Sequence, residues 1–474
     1  MTTLTDTTRH AAGRPIAAAF DFSHLPSFPV LVLWFLIFFL VFLPNRFYVP
    51  YVLTVAEWDF SLAEVAVPVC LFLVWLLRGR MFAQGHRQPQ PKVVPWLGGW
   101  LLAAVLSTAL AIGYHQNPAR GFSAILSMTI WMSPLFVIPA CRFSKKEINQ
   151  ILFFLCFCAV LGGLMVTLQS LATQSIYGLL GWRYIVYETD SERRGVLPLG
   201  VSTVIGAYFG MILPMMFAGM IFLEKKWQRF ASGMGIPILA LGCLFTSSRT
   251  TLLMLLVVLF LSFIFIRARK TGFLANSFLI VGTLVLLVVF FSRMNFERLG
   301  KVKDASTNWR ERGLVVAWMI FRDTPVFGAG VESNFQRQDG DFRFVLKSAV
   351  LQESIMYKGE VGPMEPHNLY ALLLSETGMV GLLLVICFSI RLLWFFHCSA
   401  RSVDDIRGKI FIRSGMIGLF AVAIHSLGGS DLLAKPRMST LFWLFLSVSV
   451  LYVKVSHARQ RNTGPGEKHG VPFS

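Results

Sequence analysis

The hydrophobic positions of this chain fall into long runs, and polar positions are concentrated in the segments between them. A helix needs about 17 to 25 mostly apolar residues to cross a bilayer. In lipid a single segment satisfies its backbone polar groups only as a helix, so the runs predict helices. The pattern predicts an all-α polytopic membrane protein with twelve spans, centred on Trp34, Leu71, Ala103, Ile130, Cys158, Phe209, Leu239, Leu256, Leu284, Val380, Leu419 and Phe445.

Some of these runs are short. The second and fourth are short or contain polar residues, and the runs around Leu239 and Leu256 are separated only by residues 245–249. That pair covers about 35 residues, which is too long for one crossing. It therefore predicts a tight helical hairpin.

One long polar segment, residues 292–366, separates the ninth and tenth spans. Because loops held by a rigid scaffold carry much of protein function, we expect the chemistry there. The predicted organisation is a cytoplasmic tail, nine spans, the long loop, three spans and a second cytoplasmic tail, with boundaries at 1–26, 27–291, 292–366, 367–455 and 456–474.

The basic residues predict the orientation of the spans. Lysine and arginine are enriched in cytoplasmic loops, and the segments taken as inner hold 24 of them against eight in the short outer loops. Both termini are therefore predicted in the cytoplasm and the long loop outside.

Composition supports a membrane protein, with 55% hydrophobic and 14% charged residues. The net charge of +18 suggests nucleic-acid binding only at first sight. In the long loop, eleven basic residues are balanced by ten acidic ones. The excess lies mainly in the cytoplasmic segments, where it would meet anionic lipids, so no nucleic-acid partner is expected.

Within the long loop, residues 309–321 are predicted to form an amphipathic helix. Asn308 and Glu311 have the spacing of an N-cap and its reciprocal acid. Arg310 and Arg312 would point about 200° apart on this helix, so only one of them is expected to face a common site. A second helix is predicted at 342–356.

His367 follows Pro366, which suits the first position of a helix, so it is predicted in the first turn of the tenth span. The positive end of the helix dipole there disfavours an imidazolium, leaving a neutral ring that can accept a proton near pH 7. The alternative is a structural cap at the membrane interface.

Arg249 begins the eighth span, directly after two serines. A helix start with hydroxyls and a guanidinium is suited to an anion, although such an arginine can also be a topology anchor. Two outward helix starts, at Arg249 and His367, together with Arg310 would suit a diphosphate.

Glu376 is open to two interpretations, a functional carboxylate or a hydrogen-bonded packing residue. His425 and Asp431 are interpreted as stabilising the last outer loop.

Four strings, taken in order with the long loop between spans, resemble the O-antigen ligase and Wzy-type polymerase superfamily: residues 245–249, 310–330, 366–370 and 375–381. The resemblance covers residues 193–381. It implies a metal-independent glycosyltransferase of the C type, without a cofactor, acting on undecaprenyl-diphosphate glycans. It also implies that Arg249 and Arg310 hold the diphosphate and that His367 activates the acceptor hydroxyl. Arg312 competes for the position of Arg310, and Arg193 and Arg194 are assigned to the donor path.

The resemblance leaves the acceptor open. It is a second lipid-linked glycan in a polymerase of O-antigen or exopolysaccharide, which the long loop favours, or a lipid A core in an O-antigen ligase. A transporter of the same lipid-linked glycan is the alternative from another class. The expected setting is the bacterial inner membrane with a periplasmic site, among membrane lipids and with a polysaccharide chain-length regulator as partner.

Overall fold

The computed structural model describes the chain in separate stretches, at residues 26–42, 53–55, 58–60, 62–78, 94–111, 118–171, 199, 202–223, 225–246, 248–266, 305–333, 366–430, 432 and 436–463. The predicted ninth span around Leu284 and the predicted loop helix at 342–356 lie outside the described residues.

The described stretches are almost entirely helical. In chain order, helices α1 to α13 are Phe28–Phe42, Leu62–Arg78, Val94–Leu110, Pro118–Met132, Pro134–Val137, Lys145–Leu171, Ser202–Phe222, Lys226–Phe245, Arg249–Ile266, Ala305–Asp323, Leu369–Ser402, Ile406–His425 and Pro436–Thr463. A 3-10 turn, Ile138–Ala140, continues α5. A short antiparallel hairpin of Leu53–Val55 and Trp58–Phe60 precedes α2.

Eight stretches of the described chain are long and apolar enough to cross a membrane: α6 to α9, α11 to α13, and residues 119–140. The predicted all-α polytopic membrane fold is thereby confirmed. The number of twelve spans stays a prediction. The hairpin predicted from the two neighbouring runs is also observed, because α8 ends at Phe245 and α9 begins at Arg249.

The fourth predicted span is not one continuous helix. α4 ends at Met132, and α5 and a 3-10 turn complete the stretch to Ala140. Pro134 and Pro139 account for the breaks, since proline lacks the amide hydrogen that an interior helical position needs. This explains why the run looked weak in sequence.

The bundle encloses α7 and α13 almost completely. α7 packs on α8, α9 and α12, while α13 packs on α1, α4, α6 and α12. Helix α11 lies nearer the rim, against α3, α10 and α12, and its side chains of Leu383 and Ile390 are exposed. Exposed apolar side chains on such a helix are suited to lipid.

At one end of the bundle, Glu147 joins three helices. Its carboxylate accepts hydrogen bonds from Ser27 Oγ at 2.6 Å, Arg78 Nη2 at 2.5 Å and Ser144 N at 2.9 Å. These residues precede α1, end α2 and precede α6, so the three ends lie on one side. The same ends were predicted to be cytoplasmic, and that orientation stays a prediction.

Candidate functional site

The start of α11 is held against the end of α12. Leu369 donates its backbone N–H to the carbonyl of Ser426 at 3.0 Å. The side-chain amide of Asn368 donates to the carbonyl of Leu427 at 2.9 Å. These residues follow His425, the last residue of α12. One helix therefore begins where the other ends.

Two more helix starts meet this point. A Cβ on Gly428 would overlap the Thr250 side chain, which places the first turn of α9 beside the end of α12. The imidazole of His425 forms a hydrogen bond with the backbone of Thr203, in the first turn of α7. We call this meeting point the helix-end junction and define it as residues 203, 249–250, 367–370 and 425–428.

Arg249 is the first residue of α9, and its side chain is exposed. Ser248, just before it, is buried, and its hydroxyl oxygen lies 3.4 Å from the backbone nitrogen of Thr251. The hydroxyl therefore supports the first turn of the helix, and the exposed Arg249 side chain lies at the first residue of that turn.

His367 lies outside the helix in which it was predicted. The N-cap of α11 is Asn368, whose side-chain oxygen accepts from the backbone N–H groups of Tyr370 at 2.9 Å and Ala371 at 3.0 Å. Asparagine is among the best N-cap residues because it satisfies amides that no helical carbonyl can reach. His367 is therefore the residue before the N-cap, half-buried at the junction, and the N-cap itself is Asn368.

Arg310 lies on α10 and interacts electrostatically with His425. Helix α10 begins at Ala305, so Asn308 lies inside the helix and its predicted N-cap position is wrong. The helix starts a turn earlier because Ala305 and Ser306 continue it without a breaker. Of the two competing arginines, Arg310 is the one whose charge acts on His425.

Arg312 is half-buried on α10. Arg193 and Arg194 lie outside the described residues, as does Asp431. The structure thus places Arg249 and His367 at one junction, with Arg310 interacting with His425 there. The roles of these residues and of the three further arginines stay predictions.

The sequence interpretation gave His425 only a role in stabilising the last outer loop, whereas the structure buries it at the junction. Its side chain is 2% exposed, and its Nε2 atom has no hydrogen-bond partner in the described part of the chain. The signal was an ionisable residue at the end of an apolar helix, which is costly in a membrane and usually functional. Its interactions with Thr203 on α7 and Arg310 on α10 could not be predicted from that position.

A second feature joins α10 to α11. Gly378 interrupts α11 with φ of 67° and ψ of −165°. The turn after α10 pairs with this break through four backbone hydrogen bonds of 2.9 to 3.2 Å, from Ala329 to Ser375, Gly330 to Glu376, Met379 to Pro325 and Val380 to Val326. We call residues 325–333 with 375–380 the clasp.

Two glycines allow the clasp to close. Gly328 has φ of +72°, and a Cβ on it would lie 2.5 Å from the carbonyl carbon of Glu376. Gly378 has φ of +67°, and a Cβ there would overlap the Val326 carbonyl. Only glycine adopts such backbone conformations readily, so both positions require it.

The Glu376 carboxylate belongs to the clasp. It is 5% exposed, and its Oε1 atom accepts the backbone N–H of Glu332 at 2.9 Å. Ser107 on α3 accepts from the N–H of Gly330 at 3.0 Å and donates to the Glu376 carbonyl at 2.5 Å. Of the two interpretations of Glu376, these contacts favour the hydrogen-bonded one.

An apolar cavity of about 70 Å³ lies beside the junction. It is lined by α3, α4, α11, α12 and α13, and Leu369, Tyr370 and Ser426 belong to both the cavity and the junction. The hydroxyl of Tyr370 donates to the Ala423 carbonyl at 2.9 Å, which leaves mostly hydrocarbon toward the cavity.

Residues 234–386 match the model of a protein family described as O-antigen ligase. This segment of the chain is similar to that family. The resemblance to the O-antigen ligase and Wzy-type superfamily is thereby confirmed. No curated protein matches the chain.

The matched segment contains Arg249, Arg310, His367 and the whole clasp. His425 follows it in sequence, yet it lies at the junction. The match supports a membrane protein of a glycan ligase or polymerase family, with lipid-linked glycan and acceptor as its substrates.

Proposed function

We propose that the protein is a membrane glycosyltransferase that transfers glycans from undecaprenyl-diphosphate donors at the periplasmic face of the inner membrane. The observation that carries this proposal is that Arg249 and His367 belong to one helix-end junction and that Arg310 interacts electrostatically with His425 there. All three residues lie in the segment that matches the O-antigen ligase family. The three residues are far apart in sequence, and a shared substrate explains why they meet.

The diphosphate is assigned to Arg249 and Arg310. The starts of α7, α9 and α11 all reach the junction, and helix starts carry partial positive charge and free N–H groups. Arginine adds a planar pair of donors suited to phosphate oxygens. The apolar cavity beside the junction suits part of the prenyl chain, which would leave the diphosphate at the helix starts.

His367 is assigned as the general base. The acceptor hydroxyl oxygen attacks the anomeric carbon of the donor glycan, and the hydroxyl proton passes to the His367 imidazole. The bond between the anomeric carbon and the diphosphate oxygen breaks, and the diphosphate takes the electron pair. Arg249 and Arg310 stabilise the charge that develops on it. The products are a lengthened glycan and the lipid diphosphate.

We favour a polymerase of O-antigen or exopolysaccharide, in which the acceptor is another lipid-linked glycan. The long segment 292–366 supports this choice because a growing polymer needs more extracellular surface than a lipid core. A chain-length regulator is then an expected partner.

A transporter would be built differently. Carriers place their substrate and ion sites near the midplane, at broken helices. The break in α11 at Gly378 is filled by the clasp, and the arginines lie at or near helix ends. These features favour an enzyme over a carrier.

The test is turnover by the purified protein of a purified undecaprenyl-diphosphate glycan, followed by chain length. Growth with donor alone supports a polymerase, and transfer only after addition of lipid A core supports the ligase. No new glycosidic bond under either condition, together with glycan movement across proteoliposomes, would replace the proposal by a carrier.

A further inference from the structure

We propose that Glu376 is a positioning residue, which holds Arg310 in register with His367 through the clasp. The inference rests on the proposed function, since it concerns two residues assigned to that site. Glu376 itself acts through other groups, because its carboxylate accepts the backbone N–H of Glu332 in the clasp.

The clasp joins two arms that both reach the junction. One arm is the part of α10 from Arg310 to Asp323, which ends just before the clasp, and the other is the part of α11 from Leu369 to Glu376, which ends in it. At 1.5 Å per residue the arms are about 20 Å and about 10 Å long. The angle between them is therefore set at the clasp.

A small change of helix angle at the clasp produces a large displacement at the site. A tilt of about 5° at one end of an arm of about 20 Å moves the other end by about 1.7 Å. Misplacement of a reacting group by about 1 Å can reduce a rate by about 10²-fold. A hydrogen bond far from the reacting atoms can therefore control the rate.

The Glu376 side chain fixes the last part of the clasp. Its Oε1 atom holds the N–H of Glu332, a non-glycine residue with φ of 63°. Such backbone strain persists only where surrounding contacts enforce it. The Glu332 carboxylate also pairs with Arg120 Nε at 2.9 Å, which ties the turn to α4. One backbone and one side-chain contact thus hold Glu332 in place.

Two substitutions of Glu376 differ in whether they keep the hydrogen bond to the Glu332 N–H. Glu376→Gln keeps a side-chain oxygen that accepts the Glu332 N–H, whereas Glu376→Leu has none. We expect the glutamine variant to transfer glycan within about threefold of the wild-type rate. The leucine variant should lose about 10²-fold in kcat, with a smaller change in KM for the donor because Arg249 is untouched.

Hydrogen exchange of the purified full-length protein gives a readout that does not need activity. Amides at 329–332 and along α10 should exchange faster in Glu376→Leu than in the wild type, and at the wild-type rate in Glu376→Gln. Glu147→Leu is the matched control, because it removes a buried, hydrogen-bonded carboxylate at the other end of the bundle. It should leave α10 exchange and kcat unchanged.

Unchanged α10 exchange in Glu376→Leu would overturn the inference, as would wild-type kcat in that variant. A glutamine variant as impaired as the leucine variant would also overturn it, since the accepting oxygen is retained. If the wild-type protein transfers no glycan, the proposed function fails, whereas the exchange data still decide whether Glu376 holds α10.

Discussion

Replacing Gly328 by alanine should open the clasp without unfolding the bundle. Gly328 has φ of +72°, where alanine is strained. A new Cβ would lie 2.5 Å from the carbonyl carbon of Glu376 and 2.6 Å from the nitrogen of Gly378. Both are backbone atoms, so no side-chain rotation can relieve the overlap.

The cost can be worked from these contacts. A left-handed backbone costs an L-residue about 1 to 2 kcal/mol. Moving the turn away from α11 breaks the hydrogen bonds of Ala329 to Ser375 and of Gly330 to Glu376. Each of these contributes about 0.5 to 1.5 kcal/mol. The sum is about 2 to 5 kcal/mol, which is at or below the low end of the roughly 5 to 15 kcal/mol typical of global stability. Local opening is therefore expected.

The assay combines limited proteolysis near residues 324–333, thermal unfolding in detergent and glycan transfer. Gly328→Ala should be cleaved faster in this turn and transfer more slowly, with a modest change in Tm. The control is Gly98→Ala in α3, where an added Cβ meets nothing within 4 Å. Alanine there should be neutral or stabilising by up to about 1 kcal/mol. Wild-type protease resistance and transfer in Gly328→Ala would refute the assignment of the clasp.

Three further predictions concern the site and its orientation. Arg249→Ala should weaken donor binding by about 10- to 100-fold, since a hydrogen bond to a charged group contributes about 1.5 to 3 kcal/mol. Arg249→Lys should restore little of that binding. Unchanged donor binding in purified Arg249→Ala would place the diphosphate elsewhere. His367→Ala and His367→Asn should each lose about 10² to 10⁴-fold in transfer while still binding donor, and a fully active asparagine variant would exclude a general base at this position. Alkaline phosphatase fused near Asp339 should be active and at Ser474 inactive, and the reverse result would overturn the orientation.

Several features of the site were accessible from local sequence. Arg249 was predicted at a helix start because an apolar run begins there, and it is the first residue of α9. The helix start was predicted three residues too early, at Pro366 instead of Leu369, since Pro366 and Asn368 are both good helix-start residues and only the observed hydrogen bonds select Asn368 as the N-cap. Residues that favour a helix start lie close together in the sequence here, so the tertiary hydrogen bonds decide which of them begins the helix.

The apolar runs by themselves determined the class of fold, because a hydrophobic run of sufficient length has no stable alternative to a helix in lipid. The order of the helices and the tight turn between α8 and α9 follow from the same pattern. These properties depend on residues close together in the chain, which is why the pattern suffices for them.

Only the tertiary structure decided which helix ends meet. The hydrogen bond of His425 with Thr203 and its electrostatic interaction with Arg310 join residues more than a hundred positions apart. The pairing of Gly328 with Gly378 likewise depends on two backbone conformations that fit each other. Glycine permits many conformations, so its presence alone names no partner. The partner is chosen by packing of the whole bundle, where close approach and hydrogen bonding are satisfied together.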